Sequence, residues 1–212
     1  MEKEYVWYVC YGSNLFTERF MAYIKGKNII GTSIEEVGCR DKSDPVRIEK
    51  YILPYRMYFA GCSKRWNKQG VGFICDKLDS TYITYGKRYL ITREQFVDIV
   101  CQENNVPLEE VLSVFVPQFS EIGNYILFPK KAYGRVMCIG IENGIPILTF
   151  TSVKESPDTA VAPSIEYMNM IALGIYETHN LSKIDIIEYF SKLCGIENNY
   201  TKEFLYQQIV SI

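Results

Sequence analysis

The chain has 212 residues, a length that suits one domain or one domain with a helical extension. Hydrophobic residues make up 48% of it and aromatic residues 14%, which excludes a disordered chain and allows a sizeable core. With 23 basic and 25 acidic side chains the net charge is −2, and there is no long basic stretch, which argues against a dedicated nucleic-acid binder.

Seven cysteines and one histidine offer little scope for a metal centre. No two cysteines form a CxxC pair, so a metal site would need scattered ligands, and we predict none. The thiols are expected to be reduced, as in a cytoplasm. The apolar stretch in the amino-terminal run MEKEYVWYV is too short for a signal peptide, and no segment is suited to span a membrane. We therefore expect a cytoplasmic protein with no membrane partner.

The first predicted elements are a strand and an amphipathic helix. Tyr5–Tyr11 is rich in aromatic and β-branched residues, which predicts a buried strand. Phe16, Phe20 and Tyr23 then stand at i, i+4 and i+7, which predicts a helix that ends near Gly26.

The rest of the chain alternates between the two kinds of element. Residues 25–50 are polar and irregular, which predicts a surface loop. Further strands are predicted at Tyr55–Ala60, Gly70–Cys75, Tyr82–Ile91 and, as a hairpin around Asn143-Gly144, at Gly134–Ile141 and Ile145–Thr151. Helices are predicted from the Thr92 capping box to Asn104, over 107–115, and at Ser164–Thr178, Ser182–Cys194 and Thr201–Val210. This order predicts an α+β fold, a small mixed β-barrel or sheet with surrounding helices.

The junction between the first strand and the first helix reads Tyr11-Gly12-Ser13-Asn14-Leu15. The first N–H groups of a helix have no partner within the helix and carry partial positive charge, so such a junction can bind a carboxylate. Glycine there allows close approach of a ligand. A plain N-cap, with serine or asparagine accepting from the helix, explains the same residues.

A carboxylate, Glu103, shares the apolar face of the predicted helix that begins after Thr92. It lies seven positions after Phe96, four after Ile99 and three after Val100. A desolvated glutamate has a raised pKa and can serve as a general base or acid near neutral pH. The alternative is a glutamate at a helix end that extends into water, because the predicted helix stops beside it at Asn104.

Both features resemble one known family. The run YVCYGSNLFTERF is similar to the YGSNL signature of the gamma-glutamylcyclotransferase-like family, and GKRYLITREQFVDIVCQEN resembles its strand–helix unit, whose catalytic glutamate falls on Glu103. Weaker likenesses are Gly70-Val71-Gly72-Phe73 and the run PSIEYMNMIALG with Tyr167 and Gly174.

The sequence also departs from the family's pattern. Cys10 stands where alanine is usual, and Asn104 replaces a glycine, although asparagine tolerates a left-handed backbone. Residues 105–132 insert a helix and loop. The implied organisation is a cyclotransferase-like domain over 1–181, with residues 182–212 as a helical extension packed on it.

The resemblance implies an enzyme that cyclises a γ-glutamyl group and releases 5-oxoproline and an amine or amino acid. Glu103 is the implied catalytic residue, the substrate-binding residues are Tyr11, Gly12, Ser13, Asn14 and Leu15, and no cofactor is called for. The implied partner is a small γ-glutamyl compound, whose identity stays open, as does the oligomeric state. The alternatives are a non-catalytic small-molecule binding or regulatory protein on the same fold, and a partner-docking role for the last two helices.

One further titratable group, His179, is a candidate general base. It stands at the end of a predicted helix among polar residues, which favours a solvated or helix-capping role over catalysis.

Overall fold

We describe a computed structural model of the chain, over residues 3–27, 35–114, 119 and 121–210. The chain forms two compact units. The first combines Met1–Val9, Glu18–Glu49 and Arg88–Lys154. The second combines Cys10–Thr17, Lys50–Lys87 and Glu155–Ile212.

The described residues contain eight strands and six α-helices. The strands are β1 Tyr5–Cys10, β2 Arg47–Leu53, β3 Met57–Ser63, β4 Gln69–Ile74, β5 Thr84–Thr92, β6 Gly123–Ile126, β7 Arg135–Glu142 and β8 Ile145–Thr151. The helices are α1 Thr17–Lys25, α2 Arg93–Asn104, α3 Leu108–Val114, α4 Ile165–His179, α5 Lys183–Phe190 and α6 Lys202–Gln208.

Six strands form one mixed sheet in the order β2-β5-β1-β8-β7-β6, and β3 pairs with β4 in a separate antiparallel ladder. β1 runs parallel to β8, whereas β7 runs antiparallel to both β8 and β6. The predicted α+β class with a mixed sheet is confirmed, and the strands of the described residues form this open order rather than a closed barrel.

Aromatic packing forms the core of the first unit. The Tyr8 ring on β1 lies 5.7 Å from Phe20 on α1, 5.8 Å from Phe96 on α2 and 5.3 Å from Phe150 on β8, measured between ring centroids. Such pairs add to the burial of large apolar surface, so they fix two helices against the strands. The predicted capping box of α2 is confirmed, with Thr92 and Gln95 bonding each other's backbone N–H groups.

The second unit is built from the β3–β4 ladder and the helices α4 to α6. The chain after α5 is tied to β3, because Phe59 N–H donates to the Cys194 carbonyl at 2.9 Å. The Tyr200 hydroxyl donates to the Pro163 carbonyl at 2.9 Å, and Asn169 on α4 accepts from Val210 N–H. Residues 182–210 therefore pack against the rest of this unit.

Two strands were not expected from the sequence. β2 begins inside the stretch predicted as a loop over 25–50 and ends beyond it, and β6 lies in the predicted insertion 105–132. Both are edge strands of the sheet. Both strands are partly exposed, as edge strands commonly are, and β2 also carries charged residues, so neither sequence shows the alternation that marks a half-buried strand. Residues 28–34, 115–118 and 120, which the loop, insertion and helix predictions include, lie outside the described residues.

Within the described residues, no helix combines the length and the apolar character that crossing a bilayer requires.

Candidate functional site

The junction after β1 is a single tight turn. Ser13–Leu15 form a turn of 3-10 helix, in which Leu15 N–H donates to the Gly12 carbonyl at 3.0 Å and Phe16 N–H to the Ser13 carbonyl at 3.2 Å. The regular helix α1 begins only at Thr17. The N–H of Leu15 is thus used inside the turn, which removes it from the donors that the sequence offered to a ligand.

Of the five predicted substrate-binding residues, Gly12 and Ser13 keep exposed surface. Tyr11, Asn14 and Leu15 are 4%, 5% and 0% exposed, so they support the turn from inside the unit. In the described part of the chain, the N–H groups of Gly12 and Ser13 donate to no acceptor. Two adjacent main-chain donors without an acceptor are unusual in a folded protein unless water or a ligand takes them.

The face of Gly12 is closed by the phenol of Tyr167 on α4. The Tyr167 hydroxyl accepts from Gly72 N–H on β4 at 3.1 Å, and its ring packs against Trp66 with 4.9 Å between centroids. A Cβ on residue 12 would stand 2.8 Å from this hydroxyl oxygen. Glycine at position 12 is therefore required by the side chain packed on it.

A second residue of α4, Gly174, contacts the turn from its other end. A Cβ on Gly174 would stand 2.4 Å from the Leu15 carbonyl carbon and 2.5 Å from the Phe16 nitrogen. Contacts below 3 Å are not tolerated against backbone, so the absence of a side chain at Gly174 lets the helix and the turn approach each other.

The start of α1 is bonded by side chains from α4 and β5. Thr17 N–H donates to Glu177 Oε2 at 3.0 Å, and Lys87 Nζ donates to the same oxygen at 3.1 Å and to Thr17 Oγ1 at 2.8 Å. Burial alone raises the pKa of Glu177, but the Thr17 hydrogen bonds and the Lys87 charge outweigh it, so this pKa lies below its ordinary value. The carboxylate that accepts from the Thr17 N–H at the start of α1 is therefore supplied by the protein itself, through Glu177.

The predicted catalytic residue, Glu103, belongs to the first unit, in the last turn of α2. Phe96, Ile99 and Val100, which share its stripe, are fully buried, while Glu103 itself is partly exposed. The next residue, Asn104, fixes this end of the helix. Its side chain donates to the Val100 and Tyr133 carbonyls at 3.0 and 3.1 Å and accepts from Tyr133 N–H at 3.1 Å.

The left-handed position at the end of α2 is Asn105, with φ of 47°, and not Asn104. The tolerance of asparagine for a left-handed backbone thus matters one residue later than the sequence suggested. Asn104 is buried and serves instead as a side-chain bridge to Tyr133.

The structure brings together residues that the sequence treated separately. Tyr167 and Gly174, matched only weakly at the sequence level, both contact the Gly12–Leu15 turn within the second unit. Lys87 and Glu177 were not singled out, and no local pattern marks them, because Thr17 is 70 and 160 positions away from them. Across the ranges that are described, no three His, Cys, Asp or Glu side chains are grouped to hold a metal ion.

Solved structures share this fold. The chain is similar to a gamma-glutamyl cyclotransferase with a TM-score of 0.52 and 19% identity, over 96% of this chain and 99% of that one. It is also similar to an uncharacterized protein from Homo sapiens, with a TM-score of 0.50 and 17% identity, over 97% of this chain and 99% of that one. The chain therefore has a gamma-glutamylcyclotransferase-like fold.

A sequence relative of this chain is a longer protein. No protein-family model matches the sequence. It is 32% identical over 203 residues to histone deacetylase 5 of Arabidopsis thaliana, an alignment that covers 88% of this chain and 30% of that protein. The chain thus spans less than a third of the length of this relative.

Proposed function

We propose that the protein is a cyclotransferase-type enzyme that cyclises the γ-glutamyl group of a small molecule. The observation that carries the proposal is the pair of main-chain donors at Gly12 and Ser13, held in a tight turn and without a protein acceptor in the described residues. Main-chain N–H groups in a fixed turn bind carboxylate and carbonyl oxygens well, since they cost no reorganisation when the ligand arrives. The fold shared with a gamma-glutamyl cyclotransferase supports the same chemistry.

In this proposal the turn binds the γ-glutamyl part of the substrate through Gly12 and Ser13, while Tyr11, Asn14 and Leu15 support it from inside. Glu103 takes a proton from the substrate α-ammonium group. The freed amine attacks the γ-carbonyl carbon, a new C–N bond closes the five-membered ring, and the bond to the leaving amine breaks. Glu103 returns its proton to that amine, and the ring nitrogen gives its second proton to the same carboxylate, which passes it to the leaving amine. The products are 5-oxoproline and a protonated amine or amino acid.

The turn and Glu103 each contribute a part of the proposed rate acceleration. Nucleophile and electrophile belong to one molecule, so orientation by the turn contributes much of the acceleration. Proton transfer by a positioned carboxyl group contributes roughly 100- to 10,000-fold. The reaction needs no redox partner, because the atoms and electrons balance within the substrate and the Glu103 proton.

The test is release of 5-oxoproline from a panel of γ-glutamyl amino acids, γ-glutamyl amines and glutathione. Glu103→Gln should lower turnover by roughly 100-fold or more while leaving thermal stability unchanged. Glu109→Gln is the matched control, because Glu109 is an exposed glutamate in the next helix, α3. A Glu103→Gln protein that keeps most of its activity would remove Glu103 from the mechanism.

The same panel separates the competing functions. Binding of γ-glutamyl compounds without release of 5-oxoproline would indicate a small-molecule binding protein on this fold. An acetyl-lysine peptide belongs in the panel because one relative is named a histone deacetylase. Release of acetate, rather than 5-oxoproline, would contradict the proposal.

A further inference from the structure

The segment Cys10–Thr17, which contains the Gly12–Leu15 turn, is bonded near both ends by one residue of β5, Lys87. Near its start, the Cys10 thiol donates to the Lys87 carbonyl at 3.4 Å. At its end, the Lys87 ammonium donates to the Thr17 hydroxyl at 2.8 Å. A single lysine therefore spans the turn, with its backbone at one end and its side chain at the other.

The Lys87 side chain is only 3% exposed, and Glu177 is its counter-ion. A buried ammonium group is costly unless a carboxylate compensates it, so Lys87 requires Glu177. Glu177 is 41% exposed at its side chain and shares one oxygen between Lys87 and Thr17 N–H. The pair is thus electrically neutral and bonded directly to the residue where the turn becomes a helix.

Helix α4 contacts the turn at three points along one side. Tyr167 closes the face of Gly12, Gly174 lies against Leu15, and Glu177 bonds Thr17. Residues separated by seven and three positions lie on one face of a helix, so these contacts come from a single rigid surface. Together with Lys87, this surface fixes the turn along its whole length.

We infer that Lys87 and Glu177 are a positioning pair, which holds the Gly12 and Ser13 donors in the geometry that binds substrate. The inference rests on the proposed function for the identity of the ligand, but the ordering of the turn can be measured without turnover. The pair also keeps the neighbourhood of an anionic substrate neutral. Without the lysine, Glu177 leaves an uncompensated negative charge beside the turn.

Hydrogen exchange of the Leu15 and Phe16 amides, followed by NMR in the full chain, measures the ordering directly. Lys87→Met and Glu177→Gln should each accelerate this exchange by roughly tenfold or more, because they break a charge-assisted bond that anchors the turn. The double variant removes both partners of a pair that each single variant already breaks, so its exchange should exceed that of the faster single variant by no more than about threefold.

The control is Glu188→Gln, which breaks an exposed ion pair with Lys202 at 2.6 Å in the same unit. Exchange of the two turn amides should not change there. Exchange that is equally slow in Lys87→Met, Glu177→Gln and wild type would overturn the inference. Should Lys87→Met fail to fold, Glu177→Gln and the double variant make the same comparison.

Kinetics then separate positioning from a merely structural role. With the best γ-glutamyl substrate, either single variant should raise KM by roughly tenfold and change kcat by less than about threefold. The double variant should raise KM no more than about threefold beyond the weaker-binding single variant, because the pair is already broken in each of them. If wild type releases no 5-oxoproline from any compound, the proposed function fails, while the exchange rates still decide whether the pair orders the turn.

Discussion

The hydroxyl oxygen of Tyr167 lies 2.8 Å from the position of a Cβ on Gly12. Gly12→Ala therefore has to displace the phenol, which also bonds Gly72 N–H and is only 2% exposed. Overpacking of this kind costs about 1–3 kcal/mol. We expect the urea midpoint to fall and binding of the proposed γ-glutamyl substrate to weaken.

Removal of the Tyr167 hydroxyl tests whether its contact with a side chain at position 12 causes the loss of stability. In a Tyr167→Phe background, Gly12→Ala should cost less stability than it does in wild type, although Tyr167→Phe itself removes the hydroxyl that accepts from Gly72 N–H. A double-mutant cycle with urea unfolding measures the difference. If the losses of stability from the two substitutions are additive, groups other than the Tyr167 hydroxyl accommodate the Cβ at position 12.

Gly174→Ala is expected to destabilise the protein, against the usual sign for a glycine inside a helix. Alanine ordinarily gains about 0.5–1 kcal/mol over glycine at such a position. Here its Cβ would meet the Leu15 backbone at 2.4 Å, and overpacking costs about 1–3 kcal/mol, so the clash prevails. Gly123→Ala is the control, because its nearest contact is a side-chain atom at 3.9 Å. Equal urea midpoints for the two variants would contradict the prediction.

Asn104→Ala removes the bridge that fixes the end of α2. The N–H and carbonyl of Tyr133 each lose a hydrogen bond to the Asn104 side chain, and one such bond contributes about 0.5–1.5 kcal/mol. We expect a clear loss of stability by urea unfolding and a drop in turnover, since Glu103 directly precedes Asn104. Asn105→Gly, at the exposed left-handed position, should cost little or nothing.

Local signals in the sequence predicted much of the fold. The Thr92 capping box marked the start of α2, and Asn143-Gly144, which both have positive φ, marked the β7–β8 hairpin. Such signals work because the interactions that produce them join residues close in sequence. The helical phase of α2 likewise assigned Phe96, Ile99 and Val100 to the core.

The missing parts depend on residues distant in sequence. Glu177 reaches Thr17 across 160 positions and Lys87 reaches it across 70, so no local pattern could pair them. The sequence offered Ser13 or Asn14 as the cap of the first helix, whereas the acceptor for Thr17 N–H is Glu177. The junction was recognised correctly as a turn before a helix, but its supporting side chains emerge only from the tertiary structure.

His179 carries a pH dependence of stability. The sequence favoured a solvated or helix-capping role, but the imidazole is partly buried and its Nε2–H donates to the Gly86 carbonyl at 2.8 Å. Burial lowers the pKa of His179 below its ordinary 6.5, and the positive charges of Lys50 and Lys87 lower it further, against the opposing effect of the Gly86 bond.

A lowered pKa means that the unfolded chain binds the proton more readily than the folded protein does. The stabilisation is therefore complete above pH 6.5 and is lost as the pH falls through the lower, folded pKa. His179 is the only histidine of the chain, so His179→Gln should remove this dependence. We expect the free energy of unfolding in urea to drop between pH 7.5 and 5.5 in wild type, and to drop less in the variant. Parallel pH profiles would show that the imidazole titrates alike in the folded and unfolded states.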